Sequence, residues 1–496
     1  MKNIFRFILT LWVATVSFSS CNEWLEATSD MELPADKLFQ TRGGFRDALS
    51  GIYISMGDDY AYGKYYTWYS NELTSYPYVP LSSASLDRWQ KHVYTHETVK
   101  NELASMWQQG YEVIANVNIA LRELDRRRNV ITSDVEYKLF KGELHAVRAY
   151  VHFDLMRMFG LGNWDGDNAT KLTIPYVTVY DKEPVPQQTY AETEKLLLKD
   201  INTALECLES VDPITGVEIE NFDATINEDG FWSNRTLHLN YYAVRALAAR
   251  VYQWKNDYKS AAEHAQSVID NTLEKGVVSW VDVETLLLNT NNDSRDWSFV
   301  SEHIFSLTVP ELYSKVSSYL LNSTYSSAFL LRNSLIEDVL FPIIDANGSV
   351  AGAEDIRGTA VHLRYSALGY TCYKLYGSSV YAAAFRNRMP MVKISEMYYI
   401  VAENLISQGY NSDALEILNE VRRKRGITDD LPENTDVEQE LTKEYYREFI
   451  CEGQLFYWLK HKDVSSSLDA NYSVKASDLI YPYPDEEVNY GRVQEL

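Results

Sequence analysis

Residues 245–269 (RALAARVYQWKNDYKSAAEHAQSVI) and 397–421 (MYYIVAENLISQGYNSDALEILNEV) superpose at an offset of 152 positions, with Tyr258 on Tyr410, Ala262 on Ala414 and Ile269 on Val421. Each reads as a helix, a short turn and a second helix, with a small residue where the two must approach. Such a hairpin cannot bury its apolar face alone and becomes stable only when neighbouring copies stack on it. The predicted fold is therefore mainly α: a tetratricopeptide-like scaffold of helical hairpins, with any further copies diverged.

Apolar residues at helical spacing mark the rest of this frame. Leu38, Phe45, Leu49, Ile52 and Tyr53 share a face of 36–56. Helices are predicted over 102–125, 133–159 and 190–209, the last with Thr189 and Glu192 as a capping box. A closing helix is predicted over 437–461. Between the two clear hairpins, 272–389 is rich in Ser, Asn, Gly and Tyr, with short strand-like runs (HIFSLTV, LRYSALGYTCYKLYG). Segments 76–98 and 211–236 have the same mixed character. These are long loops inserted into a helical frame, where binding residues commonly sit. The chain divides into 1–20 (leader), 21–35 (linker), 36–271 (helical scaffold carrying loop 76–98), 272–389 (loop-rich insert that binds ligand) and 390–496 (hairpin and closing helix).

The leader has Lys2 and Arg6, an apolar run from Phe7 to Phe18, and two serines before Cys21. That is a secretory signal, too short for a good membrane span. Its end is similar to a bacterial lipoprotein processing site, with Cys21 as the lipidated (palmitate-bearing) first residue. Phe18 and Ser20 depart from the usual Leu and Gly or Ala there, and an ordinary signal beside a chance cysteine is the alternative. The remaining cysteines, Cys207, Cys372 and Cys451, make neither a disulfide framework nor a zinc spacing. Buried free thiols are the plain reading, with one bridge left open. A formal charge of −24 disfavours a nucleic-acid partner and electrostatic docking on an anionic bilayer.

Motifs of catalysis do not occur: no G-x-S-x-G, no H-E-x-x-H, no phosphate-cradling glycine loop. His92 and His96 lie four apart without a third ligand, and NWDGDNAT (163–170) lacks the glycine and closing acid of an EF-hand. No metal, cofactor or catalytic residue is expected.

GELHAVRAYVHFDLMRMFG (142–160), IPYVT (174–178), TYAETEKLLLKDINTALECL (189–208), MPMVKISEMYYIVAENL (389–405), LNEVRRKRGI (418–427) and EYYREFICEGQLFYWLKH (444–461) follow in the order expected of the SusD/RagB family, which the chain resembles from Cys21 to its end. The resemblance implies an eight-helix tetratricopeptide-like scaffold and a lipid-anchored, surface-exposed protein of the outer membrane. It implies nutrient capture, of a glycan or in some members a peptide, and delivery to a SusC-like TonB-dependent transporter without catalysis. Lys393 stands where the family usually shows Arg, and Gln454-Leu455 where an Arg is common. Arg148, Arg157, Glu396, Glu403, Arg422 and Glu452 within these motifs read as ion-pairing residues of the frame.

A sugar offers apolar ring faces and a fringe of hydroxyls, so flat aromatics beside Asn, Asp, Arg or Gln suit it. Two tryptophans in polar loops fit that description. Trp89 lies in SLDRWQKH, and Trp297 in NNDSRDWSFV beside Asn292, Arg295 and Asp296. Tyr313, Tyr319 and Tyr325 follow in the same insert. For each, a plug that anchors its loop is the alternative. The dense run DDYAYGKYYTWYS (58–70) is read as packing over 64–70, since Tyr65, Trp68 and Tyr69 have i, i+3, i+4 spacing, with Tyr60 and Tyr62 kept as ligand contacts. A peptide ligand, a surface glycosidase and a ligand-free assembly scaffold are the competing readings.

Overall fold

The computed structural model describes residues 36–494 except 82, 182, 290, 325, 344–349, 379–384, 464–467, 470 and 471. We number its α-helices of six residues or more: α1 Arg42–Met56, α2 Ser70–Ser75, α3 Ala84–Gln90, α4 Glu97–Arg126, α5 Asp134–Phe159, α6 Tyr190–Leu208, α7 Tyr241–Trp254, α8 Tyr258–Glu274, α9 Val283–Leu288, α10 Ile394–Ser407, α11 Asn411–Lys424, α12 Val437–Glu448 and α13 Gln454–His461. The strands are β1 His303–Thr308, β2 Leu363–Ser366, β3 Gly369–Cys372 and β4 Arg388–Lys393.

Eight helices form one ladder in which each packs on the next: α1 on α4, then α5, α6, α7, α8, α10 and α11. This is the expected scaffold. The two repeats, far apart in sequence, are neighbours in space through α8 and α10. Each turn contains one left-handed residue, Asn256 in the first and Gly409 in the second (φ 63° and 80°), one position apart at the offset of 152. The Thr189 capping box at the start of α6 is formed as predicted, with the Thr189 side chain accepting from Glu192 N and the Glu192 carboxylate from Thr189 N.

Two elements differ from the sequence reading. Helix α1 starts at Arg42 because the Thr41 hydroxyl accepts from Gly44 N at 3.1 Å, and Leu38 ahead of it is exposed. The closing helix is two helices, α12 and α13, separated by left-handed Cys451 and Gly453 (φ 66° and 71°). A Cβ on Gly453 would lie 2.5 Å from the Thr67 carbonyl oxygen. The break is thus where residue 67 presses against the closing segment.

The insert leaves after α8 and returns at β4, which pairs antiparallel with β1. Strands β2 and β3 form a hairpin. Bridges Tyr78↔Leu331 and Leu331↔Tyr370 join the hairpin to residue 78 of the first loop. The insert is also held by buried ions. Arg425 pairs with Glu302 (2.7 Å) and Glu448 (2.9 Å), and Arg357 with Asp355 (2.8 Å), Glu444 (2.7 Å) and Glu448 (3.1 Å).

Candidate functional site

The aromatic run 58–70 and the insert meet at the surface. Residues 59–69 do not form the α-helix that the spacing of their rings suggests. Their backbone is wound wider, with Tyr66 N bonding to Ala61 O, Tyr69 N to Lys64 O and Tyr65 N to Asp59 O. The outcome for the side chains is nevertheless packing: Tyr65, Trp68 and Tyr69 are buried. Tyr62 is buried as well, its hydroxyl donating to Asp154 Oδ2 at 2.8 Å, which corrects its reading as a ligand contact. Tyr60 is the exception, 37% exposed. Its ring lies nearly parallel to Tyr65, centroids 5.1 Å apart and planes at 16°, so one face is backed and the rest is open.

Lys64 stands beside this pair. Its ammonium lies 4.2 Å from the Tyr69 ring centroid, 5.0 Å from Tyr65 and 5.6 Å from Tyr319. Burial lowers its pKa and outweighs the pull of Asp59 and Glu102. Asp59 is held by an ion pair with Lys315 of the insert. Tyr319 is half-buried and edges against Trp68 (5.5 Å), Tyr69 (5.7 Å) and Phe329 (5.5 Å). The result is a shallow polar-rimmed aromatic patch built from both loop systems. Chemically it can stack on a flat apolar face and donate a charge-assisted hydrogen bond.

The other predicted contacts lie elsewhere, and the structure corrects both tryptophans. Trp89 is 0% exposed: its indole N–H donates to Glu102 Oε2 at 2.6 Å, and its ring meets Tyr65, Tyr94 and Tyr481. Trp297 is also 0% exposed. It anchors a small core with Leu286, Phe299, Ile356 and Val361. Its N–H donates to the Asn292 carbonyl at 2.9 Å, and the Arg295 and Arg364 guanidiniums lie over the ring at 5.0 and 5.4 Å. Arg295 is itself spent on the Asn289 carbonyl. The Asp296 carboxylate accepts from Val300 N at 2.8 Å, and burial pushes it up to about 6. Neither indole has a face to offer, and the polar neighbours that suggested a sugar site satisfy the loop. Tyr313 is half-buried against Tyr376 (5.7 Å) and does not join the patch. Tyr325 and Cys21 lie outside the described residues.

His92 has a left-handed backbone (φ 55°) and donates from Nε2 to the Thr74 carbonyl at 2.9 Å, while His96 caps α4. The two share no helix face. No group of three His, Cys, Asp or Glu side chains among the described residues could hold a metal ion.

A cleft missed in the sequence lies on the scaffold between α4, residues 175–185 and the C-terminal segment. Its volume is about 690 Å³, lined by Trp107, Tyr111, Pro175, Tyr180 and Pro484 among others. Trp107 turns most of its surface inward against Phe159 and Tyr483, while Tyr111 and Tyr180 are half-buried.

Comparison with known proteins follows the fold. A family profile described as "Starch-binding associating with outer membrane" matches residues 23–213, and one described as "SusD family" matches 348–494. None of the curated proteins matches. Among solved structures, the chain is similar to a SusD superfamily protein from Bacteroides thetaiotaomicron VPI-5482, at TM-score 0.72 and 18% identity over 92% of this chain and 99% of that one. A putative sugar binding protein from Bacteroides vulgatus ATCC 8482 aligns at TM-score 0.66 and 18% identity, over 92% and 98%. Surface glycan-binding protein A from Bacteroides thetaiotaomicron, solved in complex with laminarihexaose, aligns at 0.63 and 16%, over 92% and 99%. With matching profiles at both ends of one hairpin ladder, the chain belongs to the SusD/RagB family.

Proposed function

We propose that this chain is a lipid-anchored, surface-exposed protein of the outer membrane that captures an oligosaccharide and passes it to a SusC-like TonB-dependent barrel, breaking no bond itself. Capture takes place at the Tyr60 patch. The observation that carries the reading is the Tyr60 ring, open to solvent and backed by Tyr65, over whose ring the Lys64 ammonium lies. A sugar ring would lie on Tyr60 while Lys64 and the rim side chains Asp59 and Lys315 meet its hydroxyls. The glycan complex of the similar surface glycan-binding protein supports the choice of ligand class. Cys21 would carry the lipid.

Titration calorimetry against an oligosaccharide panel, with laminarihexaose as the first probe, tests this. Binding of at least one glycan is expected, with Kd raised about fivefold or more by Tyr60→Ala or Tyr319→Ala, the loss of ~1 kcal/mol of ring contact. Undiminished affinity in both variants removes the site. Binding of peptides alone moves the ligand class, and shortened sugar in the cell identifies an enzyme. Co-purification of a barrel with the membrane-anchored protein checks the partner.

A further inference from the structure

Another cleft lies on the scaffold where α4, α5 and α6 converge beside residues 178–180. It adjoins the apolar cleft at Tyr180 and shares no residue with the aromatic patch. Its volume is about 590 Å³, inside the range of small-molecule sites, roughly 300–1,000 Å³, and far more than a bare inorganic ion fills. Arg122 from α4, Lys141, His145 and Arg148 from α5, and Lys199 from α6 put basic groups on all three walls. The lining holds four formal cations, Arg122, Lys141, Arg148 and Lys199, against two acids, Asp125 and Asp200. On a chain of formal charge −24 this is a local reversal of sign.

The acids here are already claimed. Asp200 takes Arg148 on both carboxylate oxygens (2.8 and 2.6 Å), His145 Nδ1 at 2.8 Å and the Tyr176 hydroxyl at 2.7 Å. Burial pushes its carboxyl up, but Arg148 and His145 outweigh that and keep it ionised. Asp125 accepts from the Tyr137 hydroxyl at 2.6 Å and lies 3.7 Å from Lys141. Glu123, the ion-pair partner of Arg122, is shared with Arg126 and Arg127. Positive charge is left over. The Lys199 ammonium has no hydrogen bond or ion pair among the described residues. A carboxylate only accepts, so His145 donates to Asp200 from Nδ1, and Nε2 of the neutral ring is free to accept from a hydroxyl.

The walls are fixed in advance. Arg148 donates to the Asn118 side chain at 2.8 Å and to the Thr178 carbonyl at 3.1 Å, and Asn118 donates to the Val177 carbonyl at 3.0 Å. Tyr180 is half-buried, with the Arg122 guanidinium 5.6 Å from its ring centroid. A ligand therefore meets a shaped cleft without first ordering it.

We propose that this cleft is a second binding site, for a small sugar that carries an oxyanion: a uronic acid or a sulfated monosaccharide, free or at the end of a chain. The oxyanion lies between Lys199 and Lys141, whose ammoniums, as point charges, take carboxylate or sulfate alike. A sugar hydroxyl donates to His145 Nε2, and the sugar's apolar face lies along Tyr180. Arg148 and Asp200 are positioning residues that hold His145 and the 177–178 wall. The choice of a sugar as carrier rests on the oligosaccharide reading above; the choice of charge does not.

Titration calorimetry of the full chain tests this with glucuronate, glucose 6-sulfate and glucose, and with sodium acetate and sodium sulfate as bare ions. Wild type is compared with Lys199→Gln, Lys141→Gln and Tyr60→Ala. At least one charged sugar is expected to bind about tenfold or more tightly than glucose and to weaken as salt is raised. Each lysine variant should lose about tenfold in affinity, the worth of one charge-assisted bond, while Tyr60→Ala changes nothing. Lys199 is exposed and Lys141 half-buried, so both variants should fold, which an unchanged circular dichroism spectrum checks. No binding of either charged sugar, equal binding of glucose, or affinity kept in both lysine variants overturns the site. A bare ion that binds as tightly as the sugar bearing the same group overturns the sugar ligand. Loss of the charged sugar in Tyr60→Ala assigns it to the aromatic patch and overturns the cleft. The oligosaccharide reading fails separately: no neutral glycan of the panel binds wild type, while binding of the charged sugars still upholds the cleft.

Discussion

Glu143 on α5 shows how a single carboxylate holds this frame. It is fully buried, forms an ion pair with Arg235, meets His238 Nδ1 at 2.9 Å and accepts from the Tyr53 hydroxyl at 2.8 Å. Burial pushes its pKa up, but Arg235 and His238 outweigh that and hold it at about 2. A carboxyl depressed in the folded state stabilises above its unfolded pKa, near 4.3, and loses that contribution as pH falls toward the folded value. The shift corresponds to about 3 kcal/mol lost between roughly pH 4.5 and 2. Glu143→Gln is therefore expected to cost about 3 kcal/mol at pH 7, the worth of the depressed carboxyl, while Arg235 keeps its bidentate pair with Asp212. It should also narrow the gap between urea midpoints at pH 7 and pH 3, and an unaltered gap would show that Glu143 is not an acid-sensitive group. At this scale, the charged residues of the family motifs were legible as frame pairs: Arg148 meets Asp200 at 2.6 Å, Glu396 meets Arg250 at 2.6 Å and Glu452 meets Lys393 at 2.9 Å. Such charges on apolar helices need partners wherever the helices pack. Trp89 and Trp297 were misread because polar neighbours look the same whether they greet a ligand or satisfy a buried indole.

The helical hairpins were visible in the sequence because their periodicity is local, and α7–α8 and α10–α11 formed where the repeat lies. The break between α12 and α13 was hidden because its cause is tertiary. Residues 437–461 read as one amphipathic helix until the Thr67 carbonyl is brought against Gly453. The wide winding of 59–69 is the other half of that contact, and the two segments shape each other. Gly453 meets two demands at once, a left-handed φ of 71° and no room for a Cβ. Gly453→Ala is expected to destabilise by about 2–4 kcal/mol, combining backbone strain with displacement of residue 67. Because 67 lies between Lys64 and Tyr69, the same substitution should weaken ligand binding without touching the patch itself. Chemical denaturation and titration calorimetry on the one variant measure both effects. A loss of stability with unchanged affinity would separate the turn from the patch.

The whole chain is wired so that insert and scaffold stabilise one another. Domains joined by a modest polar interface usually move and unfold separately. Here the joint is different in kind. Arg425 on the scaffold side pairs with Glu302 of the insert, and Arg357 and Asp355 of the insert join Glu444 and Glu448 of α12. All of these side chains are buried. Opening the joint would expose or strand several ions together, each unpaired buried charge costing several kcal/mol. The aromatic patch adds Trp68 and Tyr69 of the scaffold loop against Tyr319 and Phe329 of the insert. Partial opening therefore has no low-energy intermediate, and the protein is expected to unfold in one cooperative transition. Trp297 reports on the insert, packed beneath Tyr373 and Tyr376, whereas far-ultraviolet circular dichroism is dominated by the helices of the ladder. Urea curves should coincide when followed by the helical signal and by the fluorescence difference between wild type and Trp297→Phe. Arg425→Met, which leaves Glu302 and Glu448 without their shared cation, should split them, with the insert signal lost first. Two separated transitions in the wild type would mean that the buried ions do not couple the insert to the ladder, and the patch between them would then be a mobile joint rather than a rigid platform.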